Sequence, residues 1–570
     1  MKKKKSLLLL GTLFSLLLAS CGGAPAVTSS EPSSEEPSSE DTSVNPLDEI
    51  VLEKDLSPNY VLDNTSTNEN GSVSYEIFVR SFYDGDGNGI GDFKGVEKKL
   101  PYLASLGVKT LWLMPIHPSP SYHGYDVTNY YDVNPDFGTL ADFDSLTAKA
   151  EEYNIDIMID MVLNHSSSNH PWFQQSHDDY VSNNTSEDSK ANYYNWSTKD
   201  KVGYNKYSNG LYYEARFDSG MPDLNLDEPK VLEEIENITK FWIEHGVDGF
   251  RLDAVLYYYY NNHAANAEFL TWLEETAHKY DPDFYMVGEC WSSANIILKY
   301  YASKCDSFFN FPASSQPSDS SSKTLLAEVV RSSTTRAYYG ANIKWGTATQ
   351  SYEAKIKEAN PNGYASYFLT NHDADRSSKT YQDEFAKTAY SLYGLMPGTP
   401  FIYYGEEIGL LGVRINSPDD YNDVRRRLPM VWSKIDKTGE CVFPDKTRPD
   451  LDNNVQVELG AEDLLDSGYS LTDHYRKVSN VRNKYPIFKH GVFTSMVEEL
   501  DRTDNQYVVA YKISLGDDYI IVVHNFNSFN VVLPALGTEI LDEINTIQLK
   551  PTLTVDGKLG LGAFSTVIMH

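Results

Sequence analysis

Positive charge and cysteine are scarce in this 570-residue chain. Against 81 Asp and Glu stand 48 Lys and Arg, a formal net charge of −33. A surface of that sign repels a phosphate backbone or any other anionic polymer, which argues against nucleic acid as a partner and leaves neutral substrates open. There are 4 cysteines. With Cys21 set aside, the remaining Cys290, Cys305 and Cys441 are odd in number, allow at most one disulfide and match no thiolate metal spacing, so buried free thiols are expected. Long apolar runs are also wanting: Leu7–Leu18 falls short of the ~20 residues a membrane-spanning helix needs. No Gly-x-Gly-x-x-Gly follows the first strand pattern, which argues against a doubly wound dinucleotide-binding sheet. Aromatic residues, by contrast, are abundant, with 41 Tyr and 24 Phe; most are expected to fill a core, and some to stack on sugar rings.

The N-terminus is a targeting segment. Lys2–Lys5 form a basic head ahead of the apolar run. The run ends in Leu18-Ala19-Ser20-Cys21-Gly22, which resembles a bacterial lipobox. That resemblance implies cleavage before Cys21, acylation of Cys21, and a protein lipid-anchored outside the cell membrane. Residues 22–50 are rich in Ser, Glu and Pro, cannot bury a core, and read as a disordered tether.

Beyond the tether the chain alternates strand and helix patterns. Strands are expected at Tyr75–Phe78, Thr110–Met114, Asp156–Val162, Val247–Leu252, Phe284–Val287, Ser307–Phe311, Tyr364–Leu369 and Pro400–Tyr404. Eight short apolar strands separated by helices, such as Val96–Leu106 and Val231–Glu244, point to an α/β fold of the (β/α)8 TIM-barrel type. The barrel is expected over 70–165 and 231–485, interrupted after strand three by an inserted domain at 166–230, a stretch too long for a simple loop. From 486 to 570 short alternating strands, clearest at Tyr507–Tyr511 and Tyr519–Val523, read as a C-terminal antiparallel β-sandwich.

Two groups of residues carry chemistry. In Asp84-Gly85-Asp86-Gly87-Asn88-Gly89-Ile90-Gly91-Asp92, oxygen ligands recur at every second position and glycines permit the tight turns. The bidentate Glu of an EF-hand is absent, since Gly95 stands there, so the reading is a structural hard-cation site. Its ligands would be Asp84, Asp86, Asn88, the Ile90 carbonyl and Asp92, holding Ca2+ with Mg2+ as the alternative. The second group is three acids at expected strand ends: Asp253 in Gly249-Phe250-Arg251-Leu252-Asp253, Glu289 in Val287-Gly288-Glu289, and Asp373 in Phe368-Leu369-Thr370-Asn371-His372-Asp373. Cleaving a glycosidic bond with retention needs one ionised carboxylate as nucleophile and one protonated carboxyl as acid, roughly 5 Å apart. Arg251, two residues before Asp253 on one strand, shares its face and would favour an ionised Asp253. Asp253 is therefore expected to attack, Glu289 to donate and recover the proton, and Asp373 to hold the sugar.

These motifs resemble those of glycoside hydrolase family 13, the α-amylase family. Asp160-Met161-Val162-Leu163-Asn164-His165 is similar to its first conserved region, Gly249–Asp253 to the second, Glu289 to the third and Phe368–Asp373 to the fourth. Met221-Pro222-Asp223-Leu224-Asn225 resembles an extra motif of members between oligo-1,6-glucosidases and neopullulanases. The resemblance implies that His165 and His372 bind hydroxyls of the sugar being cleaved, that Tyr125 and Asp126 stack on and bind that sugar, and that Arg376 steadies it. It also likens the Asp84–Asp92 loop to the cation loop of oligosaccharide-cleaving members. Many starch-cleaving members carry Lys-His after the nucleophile where this chain has Leu256-Tyr257-Tyr258, while Ala254 resembles members that prefer α-1,4 bonds. The expected function is a retaining hydrolase of α-1,4 bonds in starch or its oligosaccharides. The alternatives are α-1,6 action or transglycosylation, or a non-catalytic glucan-binding lipoprotein.

Overall fold

The computed structural model describes residues 73–314, 341–414, 422–443, 457, 459–465, 469–500, 507–545 and 549–570. The leader, Cys21 and the tether lie outside the described residues.

The first three strands, β1 (Ser74–Ile77), β2 (Thr110–Leu113) and β3 (Asp156–Met161), alternate with helices Phe93–Ser105 and Leu140–Glu152. Each helix starts on a side-chain cap: Asp92 accepts from Gly95 N, and Thr139 forms a capping box with Asp142. After β3 comes helix Pro171–Ser182 and a small antiparallel sheet of β4 (Trp196–Ser197), β5 (Tyr204–Lys206) and β6 (Tyr212–Glu214), inside the segment read as an insertion. Barrel strands resume with β7 (Gly249–Leu252), β8 (Tyr285–Gly288), β9 (Ser307–Phe309), β10 (Tyr364–Phe368) and β11 (Thr399–Tyr403). All eight expected barrel strands form, and they close in the order β1-β11-β10-β9-β8-β7-β3-β2 with parallel pairing.

The strands read as unbroken apolar runs because both faces are covered. Trp112, Met158, Val287, Phe309, Phe368 and Phe401 belong to a cluster of their own that fills the barrel. The alternate residues, among them Tyr75, Leu111, Ile157, Ile159, Phe250 and Ile402, join the core shared with the surrounding helices. Packing is close at Gly249: a Cβ there would lie 2.6 Å from the Tyr285 carbonyl oxygen, so a side chain would force β7 and β8 apart. That pair of strands carries Asp253 and Glu289 at its ends.

The last strands are β12 (Val492–Ser495), β13 (Val508–Leu515), β14 (Asp518–Asn525), β15 (Val531–Pro534), β16 (Ile540–Ile544), β17 (Thr552–Leu553), β18 (Lys558–Leu561) and β19 (Thr566–Met569). They form a five-stranded sheet β12-β13-β14-β19-β16 and a three-stranded sheet β15-β18-β17. Val508, Ile521 and Val567 of one meet Val531, Leu533, Leu559 and Leu561 of the other in a shared core, which makes the expected sandwich. Cys290, Cys305 and Cys441 are free and buried. No helix among the described residues is long and apolar enough to cross a membrane.

Candidate active site

At the C-terminal ends of the barrel strands lies a cleft of about 610 Å3 whose walls include Tyr125, His165, Asp253, Glu289 and Asp373. Strand register explains how two of the acids meet. Leu252 pairs with Gly288, and Glu289 N donates to Leu252 O at 2.9 Å, so Asp253 and Glu289 leave neighbouring strands at equivalent steps. Parallel strands run about 4.8 Å apart, so the two side chains start from adjacent positions.

Beneath the acids sits Arg251, fully buried and paired in register with Asp160 of β3. Its Nη1 donates to Asp160 Oδ1 at 2.8 Å and to Asp253 Oδ1 at 2.7 Å, and its Nη2 lies 3.0 Å from Glu289 Oε1. Two expectations change here. Arg251 has no exposed surface and does not line the cleft, so it holds carboxylates rather than sugar. Because it touches both Asp253 and Glu289, it also does not by itself separate their roles. Loss of water, reinforced by the Asp253 and Asp373 charges, outweighs Arg251 and pushes the Glu289 carboxyl up to about 7. Glu289 therefore keeps a proton near neutral pH. Ala254 follows Asp253 with φ +51, in the left-handed region, and this turn aims its N–H at Glu289 Oε2, 3.0 Å away.

Asp373 is set apart in the opposite direction. Burial alone would raise it, but His372 and Arg427 overcome that and hold it well below the usual carboxylate range. His372 is fully buried, and although burial disfavours its charge, Asp373 and Glu76 raise it to about 9. As a cation it donates from Nδ1 to Glu76 Oε1 at 2.6 Å and from Nε2 to Tyr125 Oη at 2.6 Å and Asp373 Oδ2 at 3.1 Å. The Tyr125 hydroxyl then donates to Asp160 Oδ2 at 3.1 Å, and its ring lies 19° from parallel to the imidazole. Where a sugar hydroxyl was expected, both His372 N–H groups are taken within the protein, by Glu76 and by Tyr125 with Asp373. His165 differs. It lines the cleft, and its Nδ1 faces Asn164 Nδ2.

Two further residues stand elsewhere than expected. The Asp126 carboxylate accepts from the Ser119 hydroxyl at 2.6 Å and from Ser121, shaping the rim loop, and is absent from the cleft wall. Arg376 is buried; its Nε donates to Arg426 O at 3.0 Å, and its guanidinium lies 4.3 Å from the Tyr403 ring centre. It braces the segment bearing Arg427, which reaches Asp373 at 2.9 Å and does line the cleft. Sequence reasoning missed Arg427, Glu76 and Asp160 as site residues. Glu76 carried a signal, a lone acid between Tyr75 and Ile77 in an apolar strand; Arg427 carried none.

In the Asp84–Asp92 loop, Asp84, Asp86 and Asp92 each offer an oxygen, all within 4.8 Å of one another. Among the described residues no Lys or Arg forms an ion pair with them; backbone N–H groups of residues 85–89 and 95 point at their oxygens instead. Asn88 folds back, its Oδ1 accepting from Ile90 N at 2.7 Å and its Nδ2 donating to Asp86. An all-oxygen donor set without a protein countercharge fits a hard divalent cation.

A closed parallel barrel with paired acids at adjacent strand ends, both seated on one buried arginine and one of them raised to about 7, is the arrangement of a retaining glycoside hydrolase. Its family is shown directly: the sequence profile of the α-amylase catalytic domain matches residues 76–491, and the chain belongs to the α-amylase family. It is 38% identical over 505 residues to Alpha-amylase 3 of Dictyoglomus thermophilum, spanning 87% of this chain and 93% of that protein. It is 29% identical over 526 residues to an oligo-1,6-glucosidase of Parageobacillus thermoglucosidasius, spanning 80% of this chain and 90% of the other. Among solved structures, Eubacterium rectale Amy13B superposes with a TM-score of 0.77 at 34% identity, covering 88% of this chain and 96% of that one.

Proposed function

We propose that this glycosidase cleaves α-1,4 bonds of malto-oligosaccharides or starch, with Asp253 as nucleophile and Glu289 as acid and then base. The observation that carries the reading is the shared seat of the two carboxyls on Arg251, with burial raising the Glu289 carboxyl to about 7. Asp253 attacks the anomeric carbon while Glu289 gives its proton to the departing oxygen. Water, deprotonated by Glu289, then frees the sugar from Asp253. Asp373, held ionised by His372 and Arg427, accepts hydrogen bonds from sugar hydroxyls that tighten as the ring distorts. Tyr125 and His165 line the cleft beside that sugar.

The α-1,4 preference is supported by the name of the amylase relative and by the small Ala254 behind the nucleophile. Action on α-1,6 bonds is the second reading, favoured by the kinship with an oligo-1,6-glucosidase. Calcium in the Asp84, Asp86 and Asp92 cluster would pin the loop after β1. The Lys2–Cys21 leader supports export and a lipid anchor at Cys21, with the tether setting the enzyme just outside the membrane.

The test is to incubate the enzyme with maltoheptaose, isomaltotriose and pullulan and identify the products and their first anomer. Shortened maltoheptaose released in the α configuration is expected. Cleavage confined to isomaltotriose would transfer the assignment to α-1,6 bonds, and no turnover of any of the three would refute it.

A further inference from the structure

The inserted segment closes one side of the cleft, and an arginine sits where it meets the rest of the wall. Residues 216–224 return from β6 and run beside the end of β3. His165 bridges Asp223 in antiparallel fashion, Leu224 N donates to Asn164 O at 2.9 Å, and Ser166 N donates to Pro222 O at 3.1 Å. His165, Phe217, Asp218 and Met221 of these two runs line the cleft. Two acids lie at the root of the return. Asp223 is buried and accepts from Asn164 Nδ2 at 3.3 Å, while its own N–H donates to Glu214 O at 2.9 Å. Burial, and then the Glu214 charge, push the Asp223 carboxyl up to about 7, and Arg216 draws it down. Asp223 is not part of the cleft wall, so the Met221-Pro222-Asp223-Leu224-Asn225 motif seats the returning chain through it.

Arg216 answers both acids and reaches further. Its Nε donates to Glu214 Oε1 at 2.8 Å and its Nη2 lies 2.6 Å from the same oxygen. Both side chains are only 16% exposed, so water and salt screen the pair little. The Arg216 backbone N–H donates to Asp223 Oδ1 at 3.4 Å. The guanidinium occupies the space beside Gly203, where any Cβ would collide with Nη1. On its other side it lies 4.0 Å from the centre of the Tyr260 ring, on the loop that follows the nucleophile. Tyr260 is 5.8 Å from Tyr257, which meets Phe217 at 4.4 Å. One side chain therefore joins β6, the returning segment and the nucleophile's loop. We propose that Arg216 is a positioning residue for the glycosidase reaction, a built-in cation that clamps the inserted wall of the cleft, and with it the His165 segment, against the loop that follows Asp253. The proposal rests on the glycosidase reading above. A planar fork of donors suits this post, since its edge can hold a carboxylate while its face lies on a ring. Without the clamp the wall would be closed for only part of the time. Substrate would have to draw it shut, which raises KM by the inverse of the closed fraction, whereas a saturated enzyme is closed and keeps its kcat.

Steady-state kinetics separate this role from a merely structural one. Arg216→Ala is expected to raise KM for maltoheptaose about tenfold while kcat stays within about twofold. Arg216→Lys, which keeps the charge, should recover most of the loss, and Arg216→Met, which keeps only the apolar stem, almost none. An unchanged KM, a loss confined to kcat, or a lysine variant no better than the methionine one would overturn the proposal. Amide hydrogen exchange on the unliganded protein gives a second readout. Residues 216–224 should exchange about tenfold faster in Arg216→Ala while β7 and β8 exchange as in the wild type, and equal rates at 216–224 would overturn the clamp. Should Arg216→Ala not fold, Glu214→Gln, which removes the charge that the guanidinium holds, is read in the same way, with KM expected to rise about threefold. Wild-type enzyme inert toward maltoheptaose, isomaltotriose and pullulan would instead overturn the glycosidase reading, and exchange would still decide the clamp.

Discussion

Two places in this molecule gather carboxylates, and they are neutralised in different ways. In the barrel, Asp160, Asp253 and Glu289 share the Arg251 guanidinium, and Glu76 and Asp373 share a cationic His372. In the Asp84–Asp92 loop, three carboxylates also lie close together, but backbone N–H groups and the Asn88 amide face them, and no Lys or Arg among the described residues forms an ion pair with them. Permanent cations allow the first cluster to exist without any ion and to tune each acid separately. The loop has no such resource and depends on solvent or a bound cation. Crowded acids therefore mean different things according to what sits between them: internal cations make a reactive site, and their absence makes an ion site.

The contrast can be broken at its strongest point first. Asp253→Asn should lower kcat by about 10^4-fold or more, with an unchanged melting curve, because the amide can still accept from Arg251 but cannot attack. Asp84→Asn should leave kcat within about twofold; a comparable loss there would erase the distinction. Next, Arg251→Met should strand Asp160 and Asp253 as buried, uncompensated carboxylates and cost about 3–5 kcal/mol of stability, read by denaturant unfolding. A variant as stable as wild type would show that the cluster needs no cation. A chelator should affect the loop alone. If the cation is present at about a hundred times its Kd, removing it costs about 2.7 kcal/mol, and the melting temperature falls by several degrees. An identical melting curve with and without chelator would count against the ion. The smallest effect concerns pH. Burial raises Glu289 to about 7, so the required proton is present below that value and lost above it. kcat/KM should fall about tenfold per unit above pH 7. Chelation should not move that limb, since the loop holds none of the groups that set it.

Much of this was readable along the chain. The eight barrel strands were legible because burial on both faces leaves unbroken apolar runs, and strand–helix alternation leaves few other closed sheets. The three acids were legible because each terminates such a run inside a short polar motif. Arg251 was legible as a partner of Asp253 by strand parity, yet its contact with Glu289 was not, since that depends on register with β8. Asp126 and Arg376 were expected at the sugar and instead brace loops, because motif position gives a residue's neighbourhood but not the direction of its side chain.

The sequence by itself determined the class of fold, the reaction type and which acids end the barrel strands, since periodicity and strand-end motifs are local properties. Tertiary structure alone decided how those acids differ. His372 meets Glu76 from 296 residues away, Arg427 meets Asp373 from beyond the last barrel strand, and Glu289 is raised by burial among neighbours from other strands. Electrostatics inside a protein depends on distance and on exclusion of water, and both are settled only when remote segments close into one barrel.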